Sequence, residues 1–241
     1  MKRLLVVSEN VNLCQFLKSE ICAQGLSTEW DTDFRYTSYN NDPKSMVEFG
    51  AKEINIKMSK TVNYIIENYD IVFSLHCKQI FPASLVEKTP CFNFHPGFNP
   101  YNRGWYPQSF SIINGLPIGA TIHRMDADID HGGIVAQQEV SIAPEDSSLN
   151  VYDKVIEAEK KLMKKHLLAI LSDNVTLSSP KEEGNYNSIR DYKALCELDL
   201  ENTSTLRSHI NLLRALTHGE FRNAYFVEGG KKYFVKISIS D

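Results

Sequence analysis

The sequence has no long uninterrupted run of apolar residues. None of its segments approaches the ~18 consecutive apolar residues that a membrane-spanning helix needs. The first apolar stretch, residues 3–7, is too short for the hydrophobic region of a signal peptide and predicts a buried first strand. We therefore expect a cytoplasmic protein that has no membrane partner.

An excess of basic residues is also missing. The formal net charge is −4, whereas domains that bind nucleic acids usually carry a basic excess. This balance argues against a nucleic-acid partner. It does not argue against a small anionic ligand, which needs only a local basic site.

The sequence contains neither paired cysteines nor the common metal and dinucleotide motifs. Its five cysteines are odd in number and none forms a CxxC pair, which predicts reduced thiols in or near the core. No GxGxxG follows the first strand, so a dinucleotide site of the usual kind is not expected. Residues 126–130 resemble the start of a calcium-binding loop, but His131 and Gln137 stand where that loop requires Gly and Glu. We expect no metal. No ligand spacing specifically supports a metal site made of His95, His123 and Asp130.

Strand and helix patterns alternate along the first part of the chain, which predicts an α/β fold with a mostly parallel, Rossmann-like sheet. Strands are expected at 3–7, 69–75, 91–94, 119–125 and 133–140, with a long amphipathic helix from 147 or 148 to 171. The polar residues 30–45 are expected to form a surface loop. The prediction is a catalytic domain over 1–172, a linker over 173–190 and a small module over 191–241.

The C-terminal module is predicted to hold a helix over 204–216 and a β-hairpin that turns at Glu228, Gly229 and Gly230. A two-stranded hairpin is only marginally stable alone, so it should pack on the main domain or on a second subunit. A homodimer is expected from this hairpin together with the resemblance of residues 91–140 to a known family.

Two short stretches supply the reactive groups. In Cys91-Phe-Asn-Phe-His-Pro-Gly97, Asn93 and His95 are two residues apart, so they point to one face of an extended strand. Pro96 ends that strand. In the second stretch, Asp130 precedes Gly132 and Gly133. An amide, an imidazole and a carboxylate can together move a proton and stabilise an oxyanion.

From residue 91 to residue 140 the sequence resembles the folate-dependent formyltransferases. The matching residues are Asn93-Phe-His95-Pro96, Arg103-Gly104, Asn114-Gly115, Gly119-Ala-Thr121 and Asp126-Ala-Asp-Ile-Asp130-His-Gly132. Residues 76–82 and 214–226 resemble the dTDP-4-amino-4,6-dideoxyglucose N-formyltransferases within that family. The module after residue 190 is too short for the barrel domain of the tRNA-formylating members.

The resemblance implies transfer of a formyl group from N10-formyltetrahydrofolate to the amine of a dTDP-linked amino-dideoxy sugar used for surface polysaccharide or O-antigen synthesis. It implies that His95 is the general base, that Asn93 stabilises the oxyanion and that Asp130 orients His95. Expected contacts with the sugar nucleotide are Asn10, Lys78, Arg103, Trp105 and Tyr106. Expected contacts with the folate are Phe81, Pro82 and Gly132.

Several alternatives stay open at this point. Asn93, His95 and Asp130 seen singly could be an ordinary strand end and a turn cap, and Lys78 and Arg103 could be ordinary surface charges. Trp105 and Tyr106 could form a local aromatic cluster, and His123 could be a packed, hydrogen-bonded histidine. Other functions with the same residues are a formyltetrahydrofolate hydrolase, a ribonucleotide transformylase and a non-catalytic sugar-nucleotide binding module.

Overall fold

The computed structural model describes residues 1–240. They form two compact units whose segments interleave along the chain. One unit contains residues 1–95, 121–137 and 159–181, and the other contains 96–120, 138–158 and the residues from 182 onward. The boundaries predicted at 172 and 190 divide the chain into consecutive segments, whereas these two units are built from interleaved segments. The predicted domain division stays a prediction.

Strands β1 to β11 follow the chain in order. Their bounds are Lys2–Ser8, Trp30–Thr37, Lys52–Ile54, Ile71–Leu75, Cys91–His95, Arg103–Gly104, Ile118–Arg124, Ile134–Val140, Tyr186–Asn187, Tyr225–Glu228 and Lys231–Phe234. Within residues 1–240, seven of them form one sheet in the order β3-β2-β1-β4-β5-β7-β8. The strand pairs from β3 to β5 are parallel and β5 pairs with β7 antiparallel. The predicted α/β fold class is therefore confirmed.

Helices α1 to α8 connect and flank these strands. Their bounds are Val11–Ala23, Lys44–Phe49, Ser59–Asn68, Ala83–Val86, Pro107–Asn114, Ser148–Leu171, Ile189–Cys196 and Leu206–Leu216. The long helix α6 has the extent that its apolar periodicity predicts. None of the helices in residues 1–240 is long and apolar enough to cross a membrane.

The central strands explain the apolar runs in the sequence. Every residue of β4 and β5 is buried, and so are the five residues of β1 from Leu4 to Ser8. Strands covered on both faces have no solvent side, so they read as continuous apolar runs. Strand order reverses between β1 and β4, and in open α/β sheets ligands bind outside the carboxyl ends of the strands at such a reversal. The loops after β1 and β4 lie there.

The expectation of a surface loop over residues 30–45 is wrong for residues 30–37 and for residues 44 and 45, which begin α2. Residues 30–37 form β2, which pairs with β1 from Trp30 to Arg35. On its other side the short β3 covers only Arg35 to Thr37, so β2 is largely an edge strand. Its polar side chains are only half-buried, and Arg35 forms a two-point ion pair with Asp33. Edge strands tolerate such charges. Because its sequence is polar, β2 was predicted as a loop.

Part of the segment expected to form a linker, residues 185–187, bonds to the chain before α5. Strand β9 pairs with β6, and the buried Asn102 bonds to Asn185 and Asn187. Asn102 also exchanges amide hydrogen bonds with Asn114 at the end of α5. This network fixes residues 100–105 within the second unit.

Helix α7 was not expected from the sequence, although it has a clear start signal. Ser188 and Asp191 form a capping box, in which each side chain bonds to the other residue's backbone N–H. Tyr192 of α7 joins a small core with Phe110 and Leu216. The predicted hairpin is present as β10 and β11, and it pairs Tyr225 with Phe234.

Candidate active site

Strand β5 carries the amide of Asn93 and the imidazole of His95. Asn93 and His95 are buried at the carboxyl end of this strand, and two residues apart they project from the same face. The antiparallel neighbour β7 places His123 directly opposite Asn93 and Thr121 opposite His95. The side chains of Asn93, His95 and His123, which can move or share a proton, therefore lie together at one end of these two paired strands.

The turn between β7 and β8 carries the carboxylate of Asp130. Asp130 has a left-handed backbone with φ 51°, which few residues other than Gly adopt. Two residues later, a Cβ on Gly132 would lie 1.8 Å from the carbonyl oxygen of Arg124, so only glycine fits there. The turn thus depends on a close backbone approach at Gly132. This structural role accounts for Gly132 without any ligand.

One carboxylate oxygen is shared by the reactive side chains. Asn93 Nδ2 donates to Asp130 Oδ1 at 3.0 Å. The same oxygen lies 3.6 Å from His95 Nδ1 and 3.6 Å from His123 Nε2. The structure therefore brings Asn93, His95 and Asp130 together as the sequence predicts, and it adds His123. Their catalytic roles stay predictions.

Burial keeps His95 neutral. Loss of hydration lowers the pKa of His95 from its usual value to about 4, and the nearby Asp130 carboxylate opposes that shift only in part. Like-charge effects of His123 and His76 lower the pKa further. A neutral imidazole at physiological pH has a lone pair on one ring nitrogen, which a general base requires.

The geometry assigns that lone pair to Nε2 of His95. A carboxylate accepts hydrogen bonds, so Asp130 favours the hydrogen on the facing Nδ1. Nε2 of His95 is buried and has no hydrogen-bond partner within residues 1–240. An unpaired buried nitrogen is costly unless a ligand completes it. This atom can take a proton from a bound nucleophile.

His123 is a site residue that the sequence left undecided. It is almost fully buried, its Nε2 faces Asp130 Oδ1, and this Nε2 has no hydrogen-bond partner among residues 1–240. Its ring packs edge-on against His95 at a centroid distance of 6.3 Å. The available signal was its register opposite Asn93, which requires knowing that β5 and β7 pair antiparallel.

Lys78 and Asn10 lie in the two loops at the strand-order reversal. Lys78 is exposed, and its charge lowers the pKa of Glu9 in the loop after β1. Burial acts more strongly and raises the pKa of Glu9 overall. The side-chain oxygen of Asn10 accepts from Leu13 N and so caps α1. Lys78 is thus placed to meet an anion, whereas the Asn10 oxygen already has a structural partner.

Arg103, Trp105 and Tyr106 lie in the second unit. Arg103 is only 9% exposed, and its terminal Nη2 donates to Glu183 at 3.1 Å. Tyr106 stacks on Tyr192 with ring centroids 3.9 Å apart, and Trp105 packs against Tyr106. These contacts give all three residues a structural role. Their proposed contacts with a sugar nucleotide stay predictions.

The two other residues expected to contact folate are placed differently from each other. Phe81 is 4% exposed and packs in the core with Leu5, Ile56 and Val62. Pro82 precedes α4 and is partly exposed. The Phe81 side chain therefore belongs to the core.

Within residues 1–240, no group of three or more His, Cys, Asp or Glu side chains is placed to hold a metal ion. The cysteines Cys14, Cys22, Cys77, Cys91 and Cys196 are free. Cys22 is exposed, so the expectation that all five lie in or near the core is wrong for that residue.

The fold and this arrangement of amide, imidazole and carboxylate define a group-transfer enzyme. Residues 32–167 match the family model described as formyl transferase, so the chain belongs to that family. Residues 191–241 match the model described as the N-formyltransferase dimerization C-terminal domain. The chain is an N-formyltransferase, as the sequence pattern predicts.

The chain is also similar to individual sugar N-formyltransferases. The chain is 49% identical over 181 residues to the dTDP-4-amino-4,6-dideoxyglucose formyltransferase of Mycobacterium tuberculosis, a match that covers 75% of this chain and 77% of the relative. A solved sugar N-formyltransferase from a Shewanella species is 45% identical, covers 100% of this chain and 98% of its own, and has a TM-score of 0.97. A 4-N formyltransferase from Francisella tularensis is 43% identical with TM-score 0.90, covering 100% and 98%.

Proposed function

We propose that the protein transfers a formyl group from N10-formyltetrahydrofolate to the 4-amino group of dTDP-4-amino-4,6-dideoxyglucose. The observation that carries this proposal is the buried Nε2 of His95, which has no partner within residues 1–240 and lies next to Asn93 and Asp130. The mycobacterial relative named for that sugar nucleotide supports the acceptor. More distant relatives solved in complex with tetrahydrofolate or in the presence of 5-N-formyl-tetrahydrofolate support the donor.

In this proposal His95 acts as general base. The sugar amine forms a bond to the formyl carbon of the donor, and Nε2 of His95 accepts the proton that the amine nitrogen loses. The same proton then goes to the donor nitrogen as the bond between that nitrogen and the formyl carbon breaks. The products are a formamide on the sugar and tetrahydrofolate, and His95 returns to its neutral form.

Asn93 stabilises the negative charge that develops on the formyl oxygen. One N–H of its amide is directed to Asp130 by the 3.0 Å hydrogen bond, which fixes the orientation of the amide plane. The second N–H of the same amide is the proposed donor to the oxyanion. A fixed donor in a buried site stabilises such charge more than water does, because it needs no reorientation.

Asp130 holds the other two groups in place. It keeps the hydrogen of His95 on Nδ1 and stabilises the imidazolium that forms during proton transfer. His123 faces the same oxygen and limits how far Asp130 can move. We propose that His123 is a positioning residue and that Lys78 meets the diphosphate of the acceptor.

We propose that the protein is a homodimer formed through its C-terminal residues. The match of residues 191–241 to a dimerization domain supports this assembly. The hairpin of β10 and β11 also exposes large apolar side chains, including Val227, Tyr233 and Phe234. Exposed apolar residues grouped on one element are typical of an interaction surface.

We also propose that the enzyme acts in the cytoplasm and that its product is used for surface polysaccharide, such as the O-antigen of lipopolysaccharide. The free cysteines are consistent with a reducing compartment. The nucleotide-linked form of the acceptor supports this use, because activated sugars are the donors from which polysaccharides are built.

An acceptor panel tests the proposed substrate. The purified protein is incubated with N10-formyltetrahydrofolate and, separately, dTDP-4-amino sugar, dTDP-3-amino sugar, UDP-4-amino sugar and no acceptor. We expect kcat/KM to be highest for the dTDP-4-amino sugar. Equal turnover of all three sugars would contradict the acceptor assignment, and formate release without any sugar would identify a formyltetrahydrofolate hydrolase instead.

A further inference from the structure

A buried histidine–glutamate pair lies at the end of β4, outside the residues assigned above. His76 follows the last residue of β4, and its Nε2 lies 3.0 Å from Oε1 and 2.9 Å from Oε2 of Glu159 on α6. The Glu159 side chain is only 1% exposed and that of His76 is 12% exposed. Both carboxylate oxygens therefore face one imidazole N–H.

Glu159 is an unusual residue for its position. It lies on the apolar face of α6, next to the buried Ala158 and one helical turn from Val155 and Leu162. Burial raises the pKa of Glu159, and the charge of His76 acts against that increase. Among residues 1–240, His76 supplies the hydrogen bonds that the carboxylate accepts. An acid that costs stability at a core position points to a functional use.

The pair anchors the loop that carries Lys78. His76 itself has a left-handed backbone with φ 57°, so the chain turns sharply at the end of β4. Three residues on, the buried Gln79 accepts from Ile56 N at 3.0 Å and donates to Ser38 at 3.3 Å. The loop is thus held at both ends, and the exposed Lys78 projects between the two anchors.

His76 also acts on the reacting histidine. The groups whose charges act on His95 are Asp130 in the turn after β7, His123 on β7 and His76 after β4. A positive charge on His76 lowers the pKa of His95, in the same direction as burial. The same positive charge lowers the pKa of Glu159.

We propose that Glu159 is a positioning residue for formyl transfer, which acts through His76. Its two-point contact fixes the imidazole at the end of β4, and with it the loop that carries Lys78. This inference rests on the proposed function and extends it to a residue on α6 that touches no reacting atom.

Glu159→Gln tests the proposal, because the amide keeps the size of the side chain and removes its charge. We expect kcat/KM for the dTDP-4-amino sugar to fall about tenfold to a hundredfold, since a small displacement of a catalytic constellation costs that much. Most of this loss should be a higher KM for the sugar nucleotide, because the displaced loop carries Lys78, while the KM for N10-formyltetrahydrofolate should change little. The control is Glu157→Gln, an exposed residue on the same helix, which should retain the wild-type kinetics.

Hydrogen exchange of the backbone amides of residues 76–79, measured without substrate, separates this inference from the proposed function. In Glu159→Gln these amides should exchange faster than in the wild type and in Glu157→Gln, whether or not the wild type formylates a sugar. A folded Glu159→Gln protein with unchanged amide exchange and unchanged kinetics would overturn the inference. If Glu159→Gln does not fold, Glu159→Leu combined with His76→Asn replaces the pair without leaving a buried charge, and wild-type kinetics there would equally overturn it.

Discussion

At the scale of single residues, burial decides the chemistry of His95. Dehydration of the ring outweighs the Asp130 carboxylate, so the pKa is lowered to about 4 and the imidazole is neutral at physiological pH. Its Nε2 lone pair has no partner within residues 1–240, and its Nδ1 faces the Asp130 carboxylate. This geometry supports the proposal that Nε2 acts as the base and that Nδ1 fixes the orientation of the ring.

Replacing His95 by Asn should remove the base and leave the fold intact. We expect kcat to fall by about 10²–10⁴-fold, the usual contribution of a general base. Steady-state kinetics and the far-UV circular dichroism of the variant check both parts. Near wild-type turnover in a folded His95→Asn protein would contradict the assignment.

Replacing Asn93 by Ala should remove the oxyanion donor. The expected loss in kcat is about 10²–10³-fold with little change in KM, because the interaction forms only in the transition state. Asn93→Asp is a sharper variant of nearly the same size, since it puts a second carboxylate next to Asp130. We expect it to be at least as inactive as Asn93→Ala, and an active Asn93→Asp enzyme would refute the oxyanion role.

The buried neutral His95 also predicts a pH dependence of stability. Its folded pKa of about 4 lies below the unfolded value, so between these two values the unfolded chain binds more protons than the folded chain. Stability should therefore fall as the pH drops below about 6.5 and stop falling below the folded pKa, for a total on the order of 3 kcal/mol. Urea unfolding of wild type and His95→Gln at pH 7 and pH 5 measures this part. An equal pH dependence in the two proteins would contradict the shift.

The sequence predicts much of the site at this scale, for identifiable reasons. Asn93 and His95 share a strand face, and the glycines after Asp130 mark a turn, so local rules suffice. The pair of His76 and Glu159 joins residues 83 positions apart in the chain, and no local pattern connects a strand end to one acid on a long helix. His123 needed the antiparallel register of β7.

At the scale of elements, the turn between β7 and β8 controls where Asp130 lies. Asp126 Oδ1 accepts from Asp128 N inside the turn, and Gly132 packs against the backbone of Arg124. The turn is therefore fixed by its own short-range contacts. Its geometry, more than the identity of its exposed residues, positions the carboxylate.

Gly132→Ala should disturb this turn, because its Cβ would lie 1.8 Å from a carbonyl oxygen. We expect loss of most formyl transfer together with a lower melting temperature, since the backbone must shift to relieve the clash. The matched control is Asp128→Ala, an exposed residue of the same turn, which should change both quantities little. A fully active Gly132→Ala enzyme would show that the turn tolerates displacement.

The prediction of secondary structure from the sequence failed for β2, because this strand of the sheet has mostly polar side chains. Strand β2 reads as a loop because one edge of it is mostly unpaired and carries Asp31, Asp33 and Arg35. The buried strands β1, β4 and β5 were predicted, because burial on both faces leaves an apolar run. Helix α7 was missed even though Ser188 and Asp191 match the capping-box pattern.

At the scale of the whole molecule, the proposed dimer depends on the C-terminal residues. Phe234 of β11 is 46% exposed in one chain. Phe234→Arg should reduce the mass measured by light scattering from that of two chains to that of one, because it places a charge in an apolar contact. Leu168→Arg is the control, since Leu168 is an exposed apolar residue of α6 outside the hairpin. A monomeric wild-type protein would refute the proposed assembly.

The central claim is formyl transfer to a dTDP-linked 4-amino sugar with His95 as the base. The most direct measurement is mass spectrometry of dTDP-4-amino-4,6-dideoxyglucose after incubation with the protein and N10-formyltetrahydrofolate labelled with carbon-13 in the formyl group. We predict a product heavier by one labelled formyl group in place of one hydrogen, formed by the wild type and not by folded His95→Asn. Unchanged sugar with intact wild-type protein, or label recovered as formate, would contradict the claim.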